Sequence, residues 1–587
     1  MAEEKWFLTT KKADFTALGN RFGIDPVIAR IIRNRDLISE AEFASFLEGT
    51  LSDIPESTLL KDMDIAIDVF QRYRDEKVRI IGDYDIDGVC SSYILVRGLR
   101  ELRCNVDAAI PHRIQDGYGL NERLIDEAHE DGVSLIITCD NGISAAAQIA
   151  HARELGMHVI VTDHHEVPFE IIEGKKKQIL PKADAVIDPK RDDCSYPTEG
   201  ICGGFVAYHF IRALYERLEY ENKNLMNELT EIVAFATVGD VMELRAENRI
   251  LVKEGLKLMQ RSGNLGLRSL IRICGLGDKV VSAYHLGFVL GPCLNATGRL
   301  DTAIRALELL LETDERRALS IATELKEMND SRKDLTQKGV EKALEQMVHW
   351  DLTVNPVIVL FLPEVHESLA GIIAGKIKER FNHPTFVLTR GEEGVKGSGR
   401  SVEGYDMFEA LCEVKELLGK FGGHTMAAGL SLKEENLEPL IQGLNRNCHM
   451  EAEQFVRKIH IDVNMPFSYV TDSFVEQLSV LEPFGNGNAK PVFGQSSLSF
   501  IKARKIGSTD KVMKFTVRDD AGCEAEMTCF TSQDVFDTYI RNKYSQSAVE
   551  QLYEGTAADV KLSVIYYPEF NEFRGKRSIQ FVLQSYK

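Results

Sequence analysis

The sequence predicts a multidomain α/β protein that ends in a small β-barrel. From Val78 to about residue 300, short apolar runs alternate with helical patterns, which is typical of a parallel sheet. A charged helical segment follows at residues 301–350, and strand and helix patterns then return at residues 351–455. Short alternating strands fill residues 456–587, as expected for a barrel. At about 150 residues per domain, a chain of 587 residues accommodates these units.

The sequence of the first half of the chain predicts a helical cap followed by a large α/β lobe. Residues 1–75 carry apolar side chains at near-helical spacing, and residues 76–300 form the parallel α/β lobe. Four of its strands are predicted at Val78–Ile81, Ser134–Thr138, His158–Thr162 and Ala185–Ile187. Helices are predicted between and after them at Ser91–Leu102, Ser144–Leu155, Glu231–Val241 and Asn248–Arg261.

The second half begins with an almost continuous helix from Ala303 to Trp350, which we expect to link two lobes. The smaller α/β lobe is predicted from the strand Val357–Leu362, the helix Ser368–Phe381, the strand Thr385–Leu388, the helix Phe408–Phe421 and the strand Ala427–Leu432. Barrel strands include Lys514–Arg518 and Val560–Tyr566.

Composition excludes several classes of protein. The 44% hydrophobic and 27% charged fractions exclude a collagenous or largely disordered chain. No apolar run is long enough for a membrane helix, so we expect a cytoplasmic protein with no membrane partner. Eleven scattered cysteines without a C-x-x-C pair favour reduced thiols over disulfides or zinc. The net charge of −20 argues against a nucleic-acid partner, although net charge does not describe a local groove.

Acidic and histidine residues follow three successive predicted strands. The carboxyl ends of parallel strands share one edge of a sheet, where ligands bind, so these side chains are expected to converge. They are Asp83, Asp85 and Asp87 after the first strand, Asp140 after the second, and Asp163, His164 and His165 after the third.

Converging carboxylates repel one another unless protons or cations neutralise them. Oxygen ligands with one or two imidazoles suit Mn²⁺ or Mg²⁺, and the helix-borne Asp240 would complete the ligand set. Alone, each of these short acidic motifs more often caps a turn or a helix. Their occurrence at successive strand ends predicts a metal site. Two metals about 4 Å apart are a recurring device for phosphoryl transfer, so the substrate should carry phosphate.

Four glycine-rich stretches carry the cations and hydroxyls expected around a phosphate. Glycine lets backbone N–H groups approach an anion, and arginine adds a bidentate fork. The stretches and their candidate residues are Pro111–Arg113 with Arg113, Asn295–Arg299 with Arg299, Gly397–Ser401 with Ser398 and Arg400, and Gly422–His424 with His424.

Together these motifs resemble the DHH phosphoesterase superfamily, and within it the bacterial RecJ family of single-strand-specific exonucleases. The superfamily motifs are Asp83–Gly88, Gly117–Leu120, Thr138–Gly142 and Asp163–His165. The motifs that narrow the resemblance are Cys202–Gly204, Thr237–Val241, Gly291–Arg299, His366–Lys376, Gly397–Ser401, Phe421–Leu432 and Leu481–Phe493. The resemblance spans the chain from about residue 5 to the C-terminus.

The resemblance implies a role for each candidate residue. The ligands of a two-metal Mn²⁺ or Mg²⁺ site would be Asp85, Asp87, Asp140, His164 and Asp240, with Asp140 as the bridge. Asp83 and Asp163 would support them, and His165 would face the scissile phosphate as an acid or transition-state stabiliser. The DNA phosphates would be held by Arg113, Arg299, Ser398, Arg400 and His424. The second lobe would be a DHH-associated domain and the barrel an OB-fold that binds single strands.

The implied activity is metal-dependent degradation of single-stranded DNA from the 5′ end to mononucleotides, in repair and recombination. The implied partners are single-stranded DNA, a single-strand-binding protein and a helicase, with the chain itself a monomer. Two alternatives remain. The first is another DHH enzyme, either a phosphodiesterase for short oligoribonucleotides or cyclic dinucleotides or a pyrophosphatase. The second is a non-catalytic replication scaffold. The chain departs from the family pattern at Ile81, where related sites often have histidine, and at Val365, where tryptophan is common.

Overall fold

The structure is a computed structural model that describes residues 4–113, 116–117, 119–300, 303–391, 394–507, 512–556, 559–573 and 575–587. The side chains of residues 299, 300 and 573 lie outside this description. The chain forms two compact units. One contains Thr50–Arg457, and the other combines Glu4–Gly49 with Lys458–Lys587.

The first lobe is built on a five-stranded, all-parallel sheet. Its strands, in spatial order, are Asn105–Ala109, Lys77–Ile81, Leu135–Cys139, His158–Thr162 and Ala185–Ile187. The four predicted strands are therefore present, and Asn105–Ala109 is an edge strand that the sequence did not predict. The strand order reverses beside Lys77–Ile81, and such a reversal places a ligand crevice outside the carboxyl ends of the strands.

Helices cover both faces of this sheet. Because successive strand side chains alternate, Ile80 enters the larger core and Ile81 enters the smaller core on the other face. The helices that contribute to the larger core include Met63–Tyr73, Ile86–Glu101, Gly203–Arg217, Lys223–Gly239, Ala246–Met259 and Leu265–Ile273. Those that contribute to the smaller core are Glu122–Glu130 and Ala146–Glu154. An exposed hairpin pairs Phe169–Ile172 with Lys175–Gln178.

The connection to the second lobe is helical but not continuous. A helical run covers Ala283–His285, a π-helical turn at Leu286–Leu290 and Gly291–Leu300. The helices Ile304–Leu311 and Glu315–Met347 follow. The predicted single helix from 303 to 350 is thus wrong at residues 312–314, because Asp314 caps a new helix by accepting from the Arg317 N–H. No helix among the described residues has the length and apolar character required to cross a membrane.

The second lobe contains a five-stranded mixed sheet. Its strands, in spatial order, are Leu418–His424, Ala427–Leu432, Gly394–Arg400, Thr385–Gly391 and Ile358–Phe361. Its helices are Glu367–Phe381, Met407–Cys412 and Leu437–Arg446. The predicted helix Phe408–Phe421 is wrong beyond Cys412, because the glycine-containing segment after it pairs as a strand with Ala427–Leu432.

The second unit is a closed five-stranded barrel with short helices around it. The barrel strands are Phe493–Lys505, Met513–Arg518, Glu524–Cys529, Lys576–Tyr586 and Lys561–Phe573. The surrounding helices are Phe15–Phe22, Pro26–Asn34, Glu40–Glu48, Gln533–Lys543 and Gln546–Glu554, and Glu4–Leu8 pairs with Arg457–Ile461.

The predicted N-terminal cap, residues 1–75, is divided between the two units. Phe43 and Phe46 belong to the same core as the barrel residue Phe493, whereas the helix Met63–Tyr73 packs in the core of the first lobe. The helical character of the segment was predicted, but its periodicity does not identify the core that covers each helix.

Candidate metal centre

The loop after the first central strand holds three of the predicted carboxylates. Asp85 caps the helix Ile86–Glu101, and its Oδ1 accepts from the N–H groups of Asp87 at 3.0 Å and Gly88 at 3.1 Å. A Cβ at Gly88 would lie 2.4 Å from the carbonyl oxygen of Asp83, so only glycine fits there. The D-x-D-x-D-G sequence therefore turns tightly from strand to helix and brings its carboxylates to the sheet edge.

The carboxylate of Asp87 is fixed by a second helix. It accepts from the N–H of Gly203 at 2.6 Å and of Gly204 at 2.8 Å, at the start of the helix Gly203–Arg217. A Cβ at Gly203 would lie only 2.8 Å from the Cβ of Asp140. This close approach explains the glycine pair, which the sequence identified only as a family motif.

Asp140 and His164 meet at the centre of the site. The His164 Nε2 atom lies 3.0 Å from an Asp140 oxygen, 3.5 Å from an Asp87 oxygen and 3.7 Å from an Asp240 oxygen. Asp140 has a φ of 59°, in the left-handed region that costs a non-glycine residue energy. One imidazole nitrogen thus faces carboxylates from a strand end and from two helices.

Asp163 supports the second histidine. Its carboxylate lies 2.8 Å from Nδ1 of His165 and accepts from the N–H groups of Ile143 and His164. Burial opposes a charged His165, but the hydrogen bond to Asp163 and the neighbouring carboxylates outweigh it and raise the pKa of His165 to about 9. His165 is therefore an imidazolium near neutral pH, which is the form that can donate a proton or hydrogen-bond to a phosphate.

Seven of the predicted residues fall into three overlapping groups of potential metal ligands. Within each group the ligand atoms lie within 4.8 Å of one another. The groups are Asp83, Asp85 and Asp140; Asp87, His164 and Asp240; and Asp140, His164 and His165. Asp140 and His164 each belong to two of the three groups, so together they link all of them.

The electrostatics of the cluster fit divalent cations. Burial, followed by neighbouring carboxylates, raises the pKa values of Asp83 and Asp240 to about 8. The same causes raise the pKa of Asp140 above its ordinary range. Among the described residues, Oδ2 of Asp83 and Oδ2 of Asp240 are buried without a hydrogen-bond partner. Carboxylate oxygens and imidazole with no thiolate are the donor set that Mn²⁺ and Mg²⁺ prefer.

Two further residues at this edge were missed from the sequence. Asp188 follows the strand Ala185–Ile187 and is fully buried; burial and then Asp163 raise its pKa to about 8. Lys190 is two residues further, and its charge acts on His164, Asp188 and Asp240. The signal was present, because Asp188 follows a predicted strand just as the other acids do.

A cleft beside the carboxylates carries the predicted cations. A cavity of 260 Å³ is lined by Asp83, Tyr84, Asp85, Ile86, Arg113, Gly239 and Asn295. The Arg113 guanidinium lies 4.9 Å from the centre of the Tyr84 ring. Burial, and then the charge of Arg113, lower the pKa of Arg400 in the second lobe. A bound anion would offset the repulsion between these two guanidinium groups.

The glycine-rich stretch around Arg400 is a strand and not the phosphate-binding turn that we expected. Gly394–Arg400 lies inside the sheet, so its backbone pairs with neighbouring strands. Its glycines serve packing: a Cβ at Gly397 would lie 2.2 Å from the Leu388 side chain. Ser398 and Arg400 nevertheless share one face, where Nη1 of Arg400 donates to Oγ of Ser398 at 3.0 Å.

The structure gives less information on the remaining predicted phosphate-binding residues, His424 and Arg299, and on Ile81. His424 ends an exposed strand, and its Nδ1 accepts from the N–H of Met426 at 3.2 Å. The side chain of Arg299 lies outside the described residues. Ile81 is completely buried in the smaller core, so it contributes no ligand.

Comparison with known families defines the class of protein to which this fold and site belong. Residues 77–237 match the DHH family N-terminal domain, and residues 355–450 match the DHHA1 domain. Residues 461–585 match the RecJ OB domain. The chain is thus a DHH-family protein with an OB domain, and the three matches lie within the ranges predicted for the two lobes and the barrel.

The chain belongs to the RecJ family. It is 31% identical to the single-stranded-DNA-specific exonuclease RecJ of Bacillus subtilis (strain 168), over 97% of this chain and 69% of that protein. It is 33% identical to the RecJ of Salmonella typhimurium, over 95% of both chains. A crystal structure of Thermus thermophilus RecJ in complex with Mn²⁺ matches with a TM-score of 0.81 and 26% identity, covering 100% of this chain and 80% of that one. A second, with Mg²⁺, has a TM-score of 0.75. The predicted fold class and family are confirmed.

Proposed function

We propose that this protein is a metal-dependent exonuclease that hydrolyses the phosphodiester bonds of single-stranded DNA from the 5′ end and releases mononucleotides. The observation that carries the proposal is the overlap of three potential ligand groups at Asp140 and His164, beside a cleft with Arg113. The RecJ relatives are named as exonucleases specific for single-stranded DNA. The OB domain supports a polymeric substrate, because such barrels track single strands.

The ligands we propose for two Mn²⁺ or Mg²⁺ ions are Asp85, Asp87, Asp140, His164 and Asp240, with Asp83 supporting them. When bound, such ions lower the pKa of a coordinated water and stabilise charge on phosphate oxygens. Backbone N–H groups orient the carboxylates of Asp85 and Asp87, and Asp140 directly follows the strand Leu135–Cys139.

His165 would donate a proton or a hydrogen bond to the scissile phosphate, and Asp163 would orient it. Asp163 accepts at Nδ1 of His165, which leaves the Nε2 proton as the one available to substrate. The positively charged imidazolium of His165 would then stabilise the phosphate as it gains negative charge during attack. Alternatively, it would donate its Nε2 proton to the leaving oxygen. Asp163 acts through His165 and is a positioning residue.

Arg113 and Arg400 would hold DNA phosphates near the catalytic centre. Each presents a planar fork suited to two phosphate oxygens, and Ser398 orients the fork of Arg400. Their mutual repulsion in the free protein would be relieved when a phosphate lies between them. We also propose phosphate-binding roles for Arg299 and His424, on the family resemblance alone.

The direct test uses two matched single strands, one blocked at the 5′ end and one at the 3′ end. We expect the 3′-blocked strand to be shortened to mononucleotides with Mn²⁺ or Mg²⁺, and the 5′-blocked strand to be spared. Chelator, or Asp140→Ala, should abolish the reaction. Exposed Val348→Ala serves as the control, since it lies at the end of the long helix. Full activity of Asp140→Ala would refute the mechanism.

The same assay separates the alternatives. Faster turnover of a dinucleotide or cyclic dinucleotide than of a long strand would favour the short-substrate phosphodiesterase. Metal binding without hydrolysis of any phosphodiester would favour the scaffold.

We further propose that the protein acts in repair and recombination as a cytoplasmic monomer, together with a single-strand-binding protein and a helicase. The family resemblance is the support for these proposals. Sedimentation equilibrium tests the monomer, and a dimer at micromolar concentration would contradict it.

A further inference from the structure

Two aromatic side chains on the helical run that leads to the cleft have no role in the chemistry described above. Tyr284 and Phe288 are 63% and 68% exposed, an unusual degree for rings of this size. Their ring centroids are 5.1 Å apart with an angle of 26° between the planes, so the rings are stacked on each other. Together they present a flat apolar surface to solvent.

The backbone holds this pair rigidly. Ala283–Leu300 is a continuous helical run, and Phe288 lies in its π-helical turn, Leu286–Leu290. Leu286 and Leu290, on either side of Phe288, are fully buried and anchor the turn. Turns of this type are rare and occur frequently at functional sites. The local geometry therefore directs Phe288 outward between two buried leucines.

The same helical run packs against the elements that carry the metal ligands. A Cβ at Gly287 would lie 3.6 Å from Cγ1 of Val238, two residues before Asp240. A Cβ at Gly291 would lie 3.1 Å from Cδ1 of Ile86, between Asp85 and Asp87. Further along, Asn295 lines the cavity beside the carboxylates. The aromatic pair is thus at one end of a helix whose other end borders the cleft.

We propose that Tyr284 and Phe288 form a stacking platform for bases of the single strand near the metal centre. This inference rests on the proposed function and extends it to the nucleobases. Seven residues separate Phe288 from Asn295, or roughly 10 Å at a rise of about 1.5 Å per residue. We therefore expect the platform to contact bases a few nucleotides from the 5′ end.

Stacking on an aromatic surface suits an enzyme that must accept every sequence. Each base has a π-face, so the interaction does not depend on base identity. The phosphate contacts of Arg113 and Arg400 hold the backbone, but they do not distinguish single strands from duplex. A platform that requires unstacked, accessible bases adds that selectivity.

The test measures binding in chelator, where no cleavage occurs, with 20-nucleotide strands that carry 2-aminopurine at positions one to six from the 5′ end. Wild-type protein should quench the fluorescence of at least one of these positions. Phe288→Ala and the double variant with Tyr284→Ala should lose this quenching and raise Kd by about 10-fold or more. Phe288→Tyr should retain both. Val348→Ala is the matched control for loss of an exposed apolar side chain.

Kinetics with Mn²⁺ give an independent readout. The ratio of wild-type to Phe288→Ala kcat/KM should grow with strand length, mainly through KM, because only longer strands reach the platform. Phe288→Leu keeps an apolar side chain without a π-face and should behave as Phe288→Ala. Unchanged quenching and Kd in the double variant, full function of Phe288→Leu, or a loss independent of length would each overturn the inference. Since the binding assay requires no hydrolysis, it decides this proposal even if the exonuclease proposal fails.

Discussion

The two edges of the parallel sheet carry the same residue types in opposite electrostatic states. A charge cluster that extends to the amino edge joins Arg79 and Asp107, at the third positions of adjacent strands, with Asp131, which precedes the strand Leu135–Cys139. In this amino-edge cluster, Arg79 donates to both oxygens of Asp107 at 2.8 Å and to Asp131 at 2.6 Å. Burial alone would raise the pKa of Asp107, but Arg79 outweighs it and the pKa is lowered. The hydrogen bond from Arg79 lowers the pKa of Asp131 as well. Here the charges are paired and stabilise the fold.

At the carboxyl edge the acids face one another. Burial and neighbouring carboxylates raise the pKa values of Asp83, Asp85, Asp140 and Asp240. Without cations this edge costs folding free energy, and bound cations would offset that cost. The comparison teaches that substitutions at the amino edge should destabilise the fold and spare activity, whereas substitutions at the carboxyl edge should lower activity and, without cations, stabilise the fold.

The largest expected effect is that of Asp140→Asn. Removal of the shared ligand should lower exonuclease activity by at least about 100-fold, because an amide is a poor substitute for a bridging carboxylate. In chelator the variant should melt at a higher temperature than wild type, since it removes a buried acid among like charges. Activity assays with Mn²⁺ and thermal melting in EDTA measure the two effects. A variant that loses both activity and stability would break the comparison.

At the amino edge, Arg79→Met should produce the reverse result. The side chain is 10% exposed and makes charge-assisted hydrogen bonds, so we expect a loss of about 2 kcal/mol in the free energy of unfolding. The kcat of the folded protein should remain that of wild type. Urea unfolding and a parallel kinetic assay test this pair of outcomes, and a fall in kcat would show that the two edges are coupled.

The carboxyl edge could be predicted from sequence because it depends on topology alone. Asp83, Asp140 and Asp163 each follow a recognisable buried strand, and parallel strands bring their ends together whatever the rest of the chain does. Asp188 obeys the same rule and was missed only because no family motif marks it.

Other features depend on tertiary partners that a linear pattern does not contain. Gly394–Arg400 has the composition of a turn, yet it pairs on both sides as an interior strand. Its glycines are required because Leu388 and Met407 occupy the space that larger side chains would need. Phe43 and Phe46 give a clear apolar stripe, but the stripe does not reveal that the barrel covers it. The pairing of Arg79 with Asp107 likewise depends on cross-strand register.

A pH series sharpens the comparison, because the two edges should titrate with opposite sign. The folded pKa of Asp240 is about 8, above its ordinary value of 3.8, so the group favours the folded state at low pH and this contribution is lost as pH rises towards 8. Asp240→Asn does not ionise. In EDTA its melting temperature relative to wild type should therefore increase between pH 5 and pH 8. A difference in melting temperature between Asp240→Asn and wild type that stays constant with pH would contradict the raised pKa of Asp240. Excess Mn²⁺ should reverse the order at pH 8.

The smallest expected effect is that of Asp107→Asn at the amino edge. Because the folded pKa of Asp107 is lowered, its carboxylate stabilises the protein above its ordinary pKa of 3.8, and the contribution is lost as pH falls below that value. The side chain is 37% exposed, so solvent screening limits the penalty to roughly 1 kcal/mol at pH 7. Urea unfolding of the variant and wild type should show this difference at pH 7 and a smaller one at pH 3.5. A penalty that grows towards low pH would place Asp107 in the same electrostatic class as Asp240 and remove the distinction between the edges.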